Sequence, residues 1–291
     1  MQDISRLSHL QQEEIADYIR EKHLNTVNKN IKSVVPRVTF YTKYGKRTLD
    51  IIFSLIALFV TFPINLVIAV ITYFDVGSPI IFQQQRIGKN KEPFIIYKFR
   101  NMTNETDSNG ELLPAAQRVT KWGKIVRKTS LDELLNFISI LKGDMSIIGP
   151  RPITAFYLNR LNNRHKGMYE VRPGLECPPL YKTDHFLTWQ ERFENYAWYA
   201  ENCSFLVDIK LCFRLISMVL DRKSAGIRAS VSYGSFMGYD QDGNVIYNKQ
   251  VPDCFVEEYL KRNHYQNLEE AVSDRYRTKE RIQVFKNRIK I

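Results

Sequence analysis

The sequence predicts an α+β protein, mostly helical, with a proline-broken re-entrant membrane helix, interfacial amphipathic helices and a small β-hairpin. Three observations lead there. No residue in the stretch 51–74 is charged, and a helix of that length, roughly 36 Å, crosses a hydrocarbon core with some tilt. Pro63 lies near the centre of the stretch, where it removes a backbone hydrogen bond. Both flanks are basic. Residues 1–47 hold nine Lys and Arg against five acids, and Arg86, Lys89, Lys91, Lys98 and Arg100 follow the run against Glu92. Cytoplasmic-type charge at both ends implies a segment that enters the membrane, turns and leaves by the same face. A kinked single pass is the alternative. A buried soluble helix is disfavoured, because the run is too long and too evenly apolar.

The other elements follow in chain order. Residues 1–40 form a polar extension in which Ile15, Tyr18, Ile19 and Leu24 make one side of a short helix, expected to be solvated or loosely docked. The segment lacks the apolar region of a signal peptide. Residues 41–223 form the main, membrane-embedded domain, with the re-entrant helix at 51–74. Two β-prone runs, 80–86 and 94–99, flank Gly88-Lys89-Asn90 and predict a hairpin with Lys98 and Arg100 on one face. Residues 103–120 read as polar loop. A helix is expected from near Ser130 to about Lys142, stopped by Gly143. Gly149-Pro150-Arg151-Pro152 is a stiff irregular segment, and 155–164 reads as a short amphipathic helix. Residues 205–220 are apolar around most of a helix, with Asp208, Lys210 and Arg214 as exceptions. That suits a membrane interface or a buried core. Residues 224–291 form a C-terminal extension with a turn at Asp242-Gly243-Asn244 and a charged, helical last stretch.

Composition narrows the partners. A net charge of +11 and a pI near 9.4 favour anionic ones. The long apolar run and the lack of any recognition motif point away from nucleic acid and toward membrane lipids or phosphorylated substrates. Cys177, Cys203, Cys212 and Cys254 have irregular spacing, which argues against a zinc site or a disulfide framework and fits a reduced compartment.

Chemistry is concentrated at Thr129-Ser130-Leu131-Asp132-Glu133-Leu134. One reading is purely structural: Ser130 and Glu133 form a capping box, and acids suit a first helical turn. The other uses the same geometry. A helix start keeps a carboxylate ionised, as a nucleophile requires, and two adjacent carboxylates share a divalent metal that screens a diphosphate. Arg127 is placed to hold a phosphate. Arg151, stiffened by Pro150 and Pro152, suits bidentate phosphate binding or a structural role on loop carbonyls. Lys98 and Arg100 fit a solvated strand face, anionic headgroups or a substrate phosphate.

These motifs, in order, resemble the bacterial sugar transferase family, the monotopic polyprenyl-phosphate phosphoglycosyl transferases. The likeness covers about residues 46–223. It begins at Lys46-Arg47-Thr48-Leu49-Asp50 and includes Pro63, Gly77-Ser78-Pro79, Gln85-Arg86-Ile87-Gly88 and Tyr97-Lys98-Phe99-Arg100-Asn101-Met102. It continues through Ser130-Leu131-Asp132-Glu133-Leu134, Lys142-Gly143-Asp144-Met145-Ser146, Gly149-Pro150-Arg151-Pro152, Val171-Arg172-Pro173-Gly174-Leu175 and Ser204-Phe205-Leu206-Val207-Asp208. Each piece is weak alone, and the ordered set is specific.

The resemblance implies a re-entrant helix broken at Pro63 and ping-pong catalysis dependent on Mg²⁺. It implies that Asp132 attacks the diphosphate of a UDP-sugar, releases UMP and carries the phosphosugar, while Asp132 and Glu133 hold the metal. Polyprenyl (undecaprenyl) phosphate then accepts the phosphosugar, which initiates capsule, exopolysaccharide, O-antigen or glycoprotein glycans. Lys98, Arg100, Arg127, Arg151 and Asp208 are the implied substrate- and phosphate-binding positions. The implied location is the bacterial inner membrane, with the catalytic domain on the cytoplasmic face, and a homo-oligomer is compatible with it. The chain departs from the family pattern at 176–184, where Glu176-Cys177-Pro178-Pro179-Leu180-Tyr181-Lys182 replaces the usual segment and its glutamine and arginine are missing. This leaves the sugar open. It also keeps an alternative open: a catalytically altered member acting as a membrane-surface binding or scaffolding protein.

Overall fold

A computed structural model describes the whole chain except residues 30, 108–111, 182–184, 186, 221–233 and 275–291. The charged stretch at the extreme C-terminus and Lys182 therefore lie outside the described residues. The longest element is α2, Lys46–Val76, which follows a π-helical turn at Tyr41–Gly45. Only 11% of its most apolar window is buried, unlike the core helix of a soluble protein. Phe59, Val60, Phe62 and Phe74 all face outward. Helical assignment continues through Pro63, so the proline lies within one element. Close to it, the Thr61 hydroxyl donates to the Ala57 carbonyl at 2.7 Å and Asn65 Nδ2 donates to Thr61 at 3.3 Å. These bonds pair the Thr61 hydroxyl and the Asn65 amide nitrogen within the helix itself.

Both ends of α2 dock on one body. At the start, Arg47 donates to the carbonyls of Ile140 and Leu141 at 2.5 and 2.7 Å, and Asp50 accepts from Ser146 Oγ and Ile147 N at 3.0 and 3.1 Å. At the end, Thr72 accepts from Trp122 Nε1 at 3.4 Å and Asp75 accepts from Thr120 at 2.6 Å. Asp50, Ser54, Ile68 and Thr72 are its buried residues, and they cluster toward its two ends.

The hairpin forms as expected. β1, Ile81–Ile87, pairs antiparallel with β2, Pro93–Phe99, in a register that sets Phe82 opposite Lys98 and Arg86 opposite Phe94. Among the described residues of 103–120 the one helix is a single turn, α3, Ala115–Arg118, beside isolated bridges of Met102 to Val119 and Thr106 to Leu112. Then comes α4, Lys121–Thr129, capped by Thr120, whose hydroxyl accepts from Gly123 N at 2.8 Å.

The helix expected from Ser130 is not formed there. Ser130 takes a left-handed conformation, φ 58°, and closes α4. Leu131–Glu133 is a single 3₁₀ turn, and α5 begins only at Asn136, running to Lys142 before Gly143, φ 103°. No capping box exists, because a left-handed Ser130 turns the chain away from α4 before α5 begins. The stretch expected as a helix at 155–164 is a 3₁₀ segment, Ala155–Arg160.

Behind the hairpin, β3, Ser146–Ile148, pairs parallel with β4, Gly174–Glu176. A helix not foreseen, α6, Trp189–Asn202, opens with a true capping box between Thr188 and Glu191. Its Phe193, Tyr196 and Tyr199 fill the main core with Ile148 and with Leu211 of α7, Phe205–Leu220. Helix α7 thus has two faces: Leu211 lies in the core, while Leu206, Phe213 and Ile216 stay exposed.

The N-terminal extension is not solvated. Helix α1, His9–Lys29, buries Ile15, Ala16 and Ile19 completely. It packs on a unit from the far end of the chain: the hairpin β5, Phe236–Tyr239, and β6, Val245–Tyr247, with helices α8, Asp253–Arg262, and α9, Leu268–Ser273. Met237, Ile246, Val251, Phe255, Val256 and Tyr259 complete this second core. Partners more than 200 residues away are invisible to local patterning, which is why α1 reads as a loose segment. The unit is tied to the main domain by a buried ion pair between Arg160 and Glu13 and by His165, 2.6 Å from the Tyr239 hydroxyl.

Ile19→Ala is expected to lower stability by about 2–5 kcal/mol, the range for emptying a fully buried aliphatic site. Denaturant unfolding of the detergent-solubilised chain measures this. Unchanged stability would show that α1 is not part of a core.

Candidate active site

Four segments converge on Asp132 and Glu133. Strand β2 ends in Lys98 and Phe99 and leads directly into Arg100 and Asn101; α4 ends near Arg127; the loop after β3 brings Arg151; β1 brings Arg86. The left-handed Ser130 lets the 3₁₀ turn present its two acids to different neighbours. Pro150 and Pro152 stiffen the Arg151 loop, and Gly174 N donates to the Pro150 carbonyl at 2.9 Å. Gly174 lies so close to the backbone of Ile148 and Gly149 that a Cβ there would collide. Glycine thus permits the β3–β4 approach that sets the loop.

The two carboxylates have opposite environments. Glu133 Oε1 accepts from Lys98 Nζ at 2.7 Å and from Arg151 Nη2 at 2.5 Å. Burial pushes its carboxyl up, but Arg151 and Lys98 outweigh this and hold it at about 2. Asp132, 6% exposed, accepts from Asn101 Nδ2 at 2.9 Å. Burial, and then the charge of Glu133, push its carboxyl up to about 6 against the pull of Lys98 and Arg127. Adjacent acids whose environments separate their proton affinities are a common arrangement for dividing chemical roles.

The structure brings Lys98, Arg127 and Arg151 to the pair. Arg151 also donates to the Leu175 carbonyl at 3.1 Å and reaches Glu176 at 3.4 Å. Arg100 is buried just past β2, and its Nε and Nη1 have no partner among the described residues. Asp208 belongs elsewhere. Its carboxylate accepts from Lys46 Nζ, Tyr41 and Tyr199, each at 2.6 Å, and so fastens α7 to the start of α2.

Sequence reading missed Arg86, which lines the same cleft as Lys98, Glu133 and Arg151. A signal was there. The hairpin register sets Gln84 opposite Ile96 and Phe82 opposite Lys98, so the two-residue period of β1 carries Arg86 onto the Lys98 face.

A divalent cation fits this pair in one way only. No group of three or more His, Cys, Asp or Glu able to hold a metal exists among the described residues. The second oxygen of each carboxylate is left unused by Lys98, Arg151 and Asn101. Mg²⁺ characteristically takes one or two carboxylates, keeps waters and shares substrate phosphates, so two free oxygens suffice if the substrate brings the rest.

Residues 41–222 match the bacterial sugar transferase family. The sugar transferase EpsL of Bacillus subtilis, itself uncharacterized, is 38% identical over 175 residues, 60% of this chain and 87% of that protein. The UDP-N-acetylgalactosamine-undecaprenyl-phosphate N-acetylgalactosaminephosphotransferase of Aeromonas hydrophila is 33% identical over 184 residues, 60% of this chain and 43% of that protein. The UDP-glucose:undecaprenyl-phosphate glucose-1-phosphate transferase of Klebsiella pneumoniae is 34% identical over 191 residues, 62% of this chain and 41% of that protein. The chain thus spans less than half the length of these last two relatives.

Lys98→Met is expected to raise the Glu133 carboxyl from about 2 toward its ordinary range. A carboxyl depressed in the folded state adds stability above its unfolded pKa and loses it as pH falls through the folded one. The variant should therefore be less stable than the native chain by on the order of 1 kcal/mol at pH 7, with the gap narrowing below pH ~4. Thermal unfolding at pH 7 and pH 3 reads the difference, and a gap independent of pH would contradict it.

Proposed function

This chain belongs to the bacterial sugar transferase family, and from that footing we propose that it moves a sugar 1-phosphate from a UDP-sugar to polyprenyl phosphate. The observation that carries this reading is the Asp132–Glu133 turn, with one acid held ionised by Lys98 and Arg151 and the other beside Asn101.

Asp132 is the nucleophile. Its carboxylate attacks the sugar-side phosphorus of the diphosphate, an Asp132–phosphorus bond forms, and the bond to the bridging oxygen breaks. UMP leaves with that electron pair. An oxygen of polyprenyl phosphate then attacks the same phosphorus, the bond to Asp132 breaks, and a polyprenyl-diphosphate sugar is released. Lys98, Arg127 and Arg151 stabilise the charge that spreads over the phosphoryl oxygens. Arg100, a buried cation with unused donors beside Asn101, binds a phosphate on the Asp132 side. Asp132 and Glu133 are the residues that would hold Mg²⁺, which would supply charge neutralisation on the diphosphate. Asp208 positions α7 against α2 and does not touch substrate.

The same reading places the chain in the bacterial inner membrane with its catalytic face toward the cytoplasm, where it begins assembly of a surface glycan. In support, both ends of α2 dock on one body while its middle stays apolar and uncovered, as a re-entrant segment requires.

Asp132→Asn is expected to reduce UMP release from UDP-sugars in membranes by about a thousandfold or more, as loss of a nucleophile does. Intact mass of the native chain incubated with donor alone should show a phosphosugar adduct that the variant lacks. Turnover retained in the variant would overturn the assignment. A native chain inert across a panel of UDP-sugars would favour a surface-binding member without catalysis.

A further inference from the structure

Of the three cations that line this cleft, Arg86, Lys98 and Arg151, Arg86 alone makes no ion pair among the described residues. Lys98 and Arg151 both spend donors on Glu133, and Arg151 also meets Glu176 and the Leu175 carbonyl. Arg86 donates to Gln84 Oε1 at 2.7 Å, and its buried Nε has no partner among the described residues. Burial, then the charge of Arg151, hold its guanidinium below the ordinary arginine range. Two guanidiniums facing one half-buried cleft repel each other, and an anion between them removes that repulsion.

The position fits a particular anion. Asp132 faces Asn101 and feels Arg127, while Glu133 faces Lys98 and Arg151 with Arg86 beyond. In phosphoryl transfer the attacking and leaving oxygens lie roughly in line across the phosphorus. A group leaving from a phosphorus attacked by Asp132 departs on the side opposite that carboxylate, and the neighbouring cleft lined by Arg86, Lys98 and Arg151 offers cations to receive it. We propose that Arg86, together with Arg151, holds the nucleoside monophosphate that leaves the donor, so that Arg86 serves the donor half-reaction and not the acceptor half. This rests on the transferase reading above. Arginine suits the task because its planar fork grips two phosphate oxygens at once.

The test uses the full chain in phosphatidylethanolamine–phosphatidylglycerol nanodiscs, with UMP and inorganic diphosphate as calorimetric probes. Arg86→Gln is expected to weaken both by about tenfold or more, since a charge-assisted bond is lost. Arg86→Lys, which keeps the charge and guards against misfolding, should recover only part of the affinity. Lys166→Gln, a like charge change in a separate surface pocket, should bind as the native chain does. In turnover, Arg86→Gln should raise the donor KM and leave the polyprenyl-phosphate KM unchanged. Unweakened probe binding in Arg86→Gln, equal weakening in Lys166→Gln, or a raised acceptor KM would each overturn the proposal. Arg86-dependent diphosphate binding in a native chain that releases no UMP would uphold the anion subsite and remove the transferase reading, so the two failures read apart.

Discussion

Glu133 Oε1 accepts from Lys98 and from Arg151, and through that one oxygen three separate segments are held together: the end of β2, the 3₁₀ turn and the loop after β3. Removing any partner leaves an uncompensated charge in a half-buried place. Ion pairs of this kind are a weak source of stability, because desolvation offsets attraction, but they fix geometry well. Here the fixed geometry is the position of Asp132. With Glu133 clamped, its neighbour in the turn has little freedom and is left facing Asn101. The clamp also sets the proton affinities of the pair. The cations keep Glu133 ionised, and its charge in turn pushes the Asp132 carboxyl up.

The membrane helix and the site are mechanically joined. Asp50 holds Ser146 and Ile147 at β3, five residues before the Arg151 loop, and Asp75 accepts from the N-cap of α4, the helix that leads into the acidic turn. Both ends of α2 therefore set strands and helices that carry site residues. The ends of the apolar helix and the walls of the site are thus one mechanical unit.

How much was legible follows from the range of the interactions. The hairpin, the apolar α2 and helix α7 rest on local periodicity, and the sequence showed them. The acidic turn was legible as chemistry but not as structure. Ser130-Leu131-Asp132-Glu133 satisfies a capping box on paper, yet Ser130 is left-handed and ends the helix before it. Both conformations suit a short polar residue, and tertiary contacts of Asp132 with Asn101 and of Glu133 with Lys98 decided between them. Asp208 was grouped with the site because it belongs to the same ordered motif set, whereas the fold uses it against Lys46, Tyr41 and Tyr199. Arg86 went unassigned although strand alternation marked its face. The docking of α1 could not be seen locally at all, since its partners lie at the other end of the chain.

That last arrangement has a consequence for how the protein is made. Helix α1 precedes the transferase domain in the chain, and the strands and helices that cover Ile15 and Ile19 follow that domain and so are synthesised later. Its apolar face must wait through the insertion of α2 and the assembly of the site before burial, exposed as late-pairing segments are. In the closed arrangement the amine of residue 1 meets Asp253 at 2.7 Å and residue 2 bridges to Val251, so two segments up to 252 residues apart are held together like a clasp. The clasp therefore shuts only on a chain that has been synthesised through to its second core.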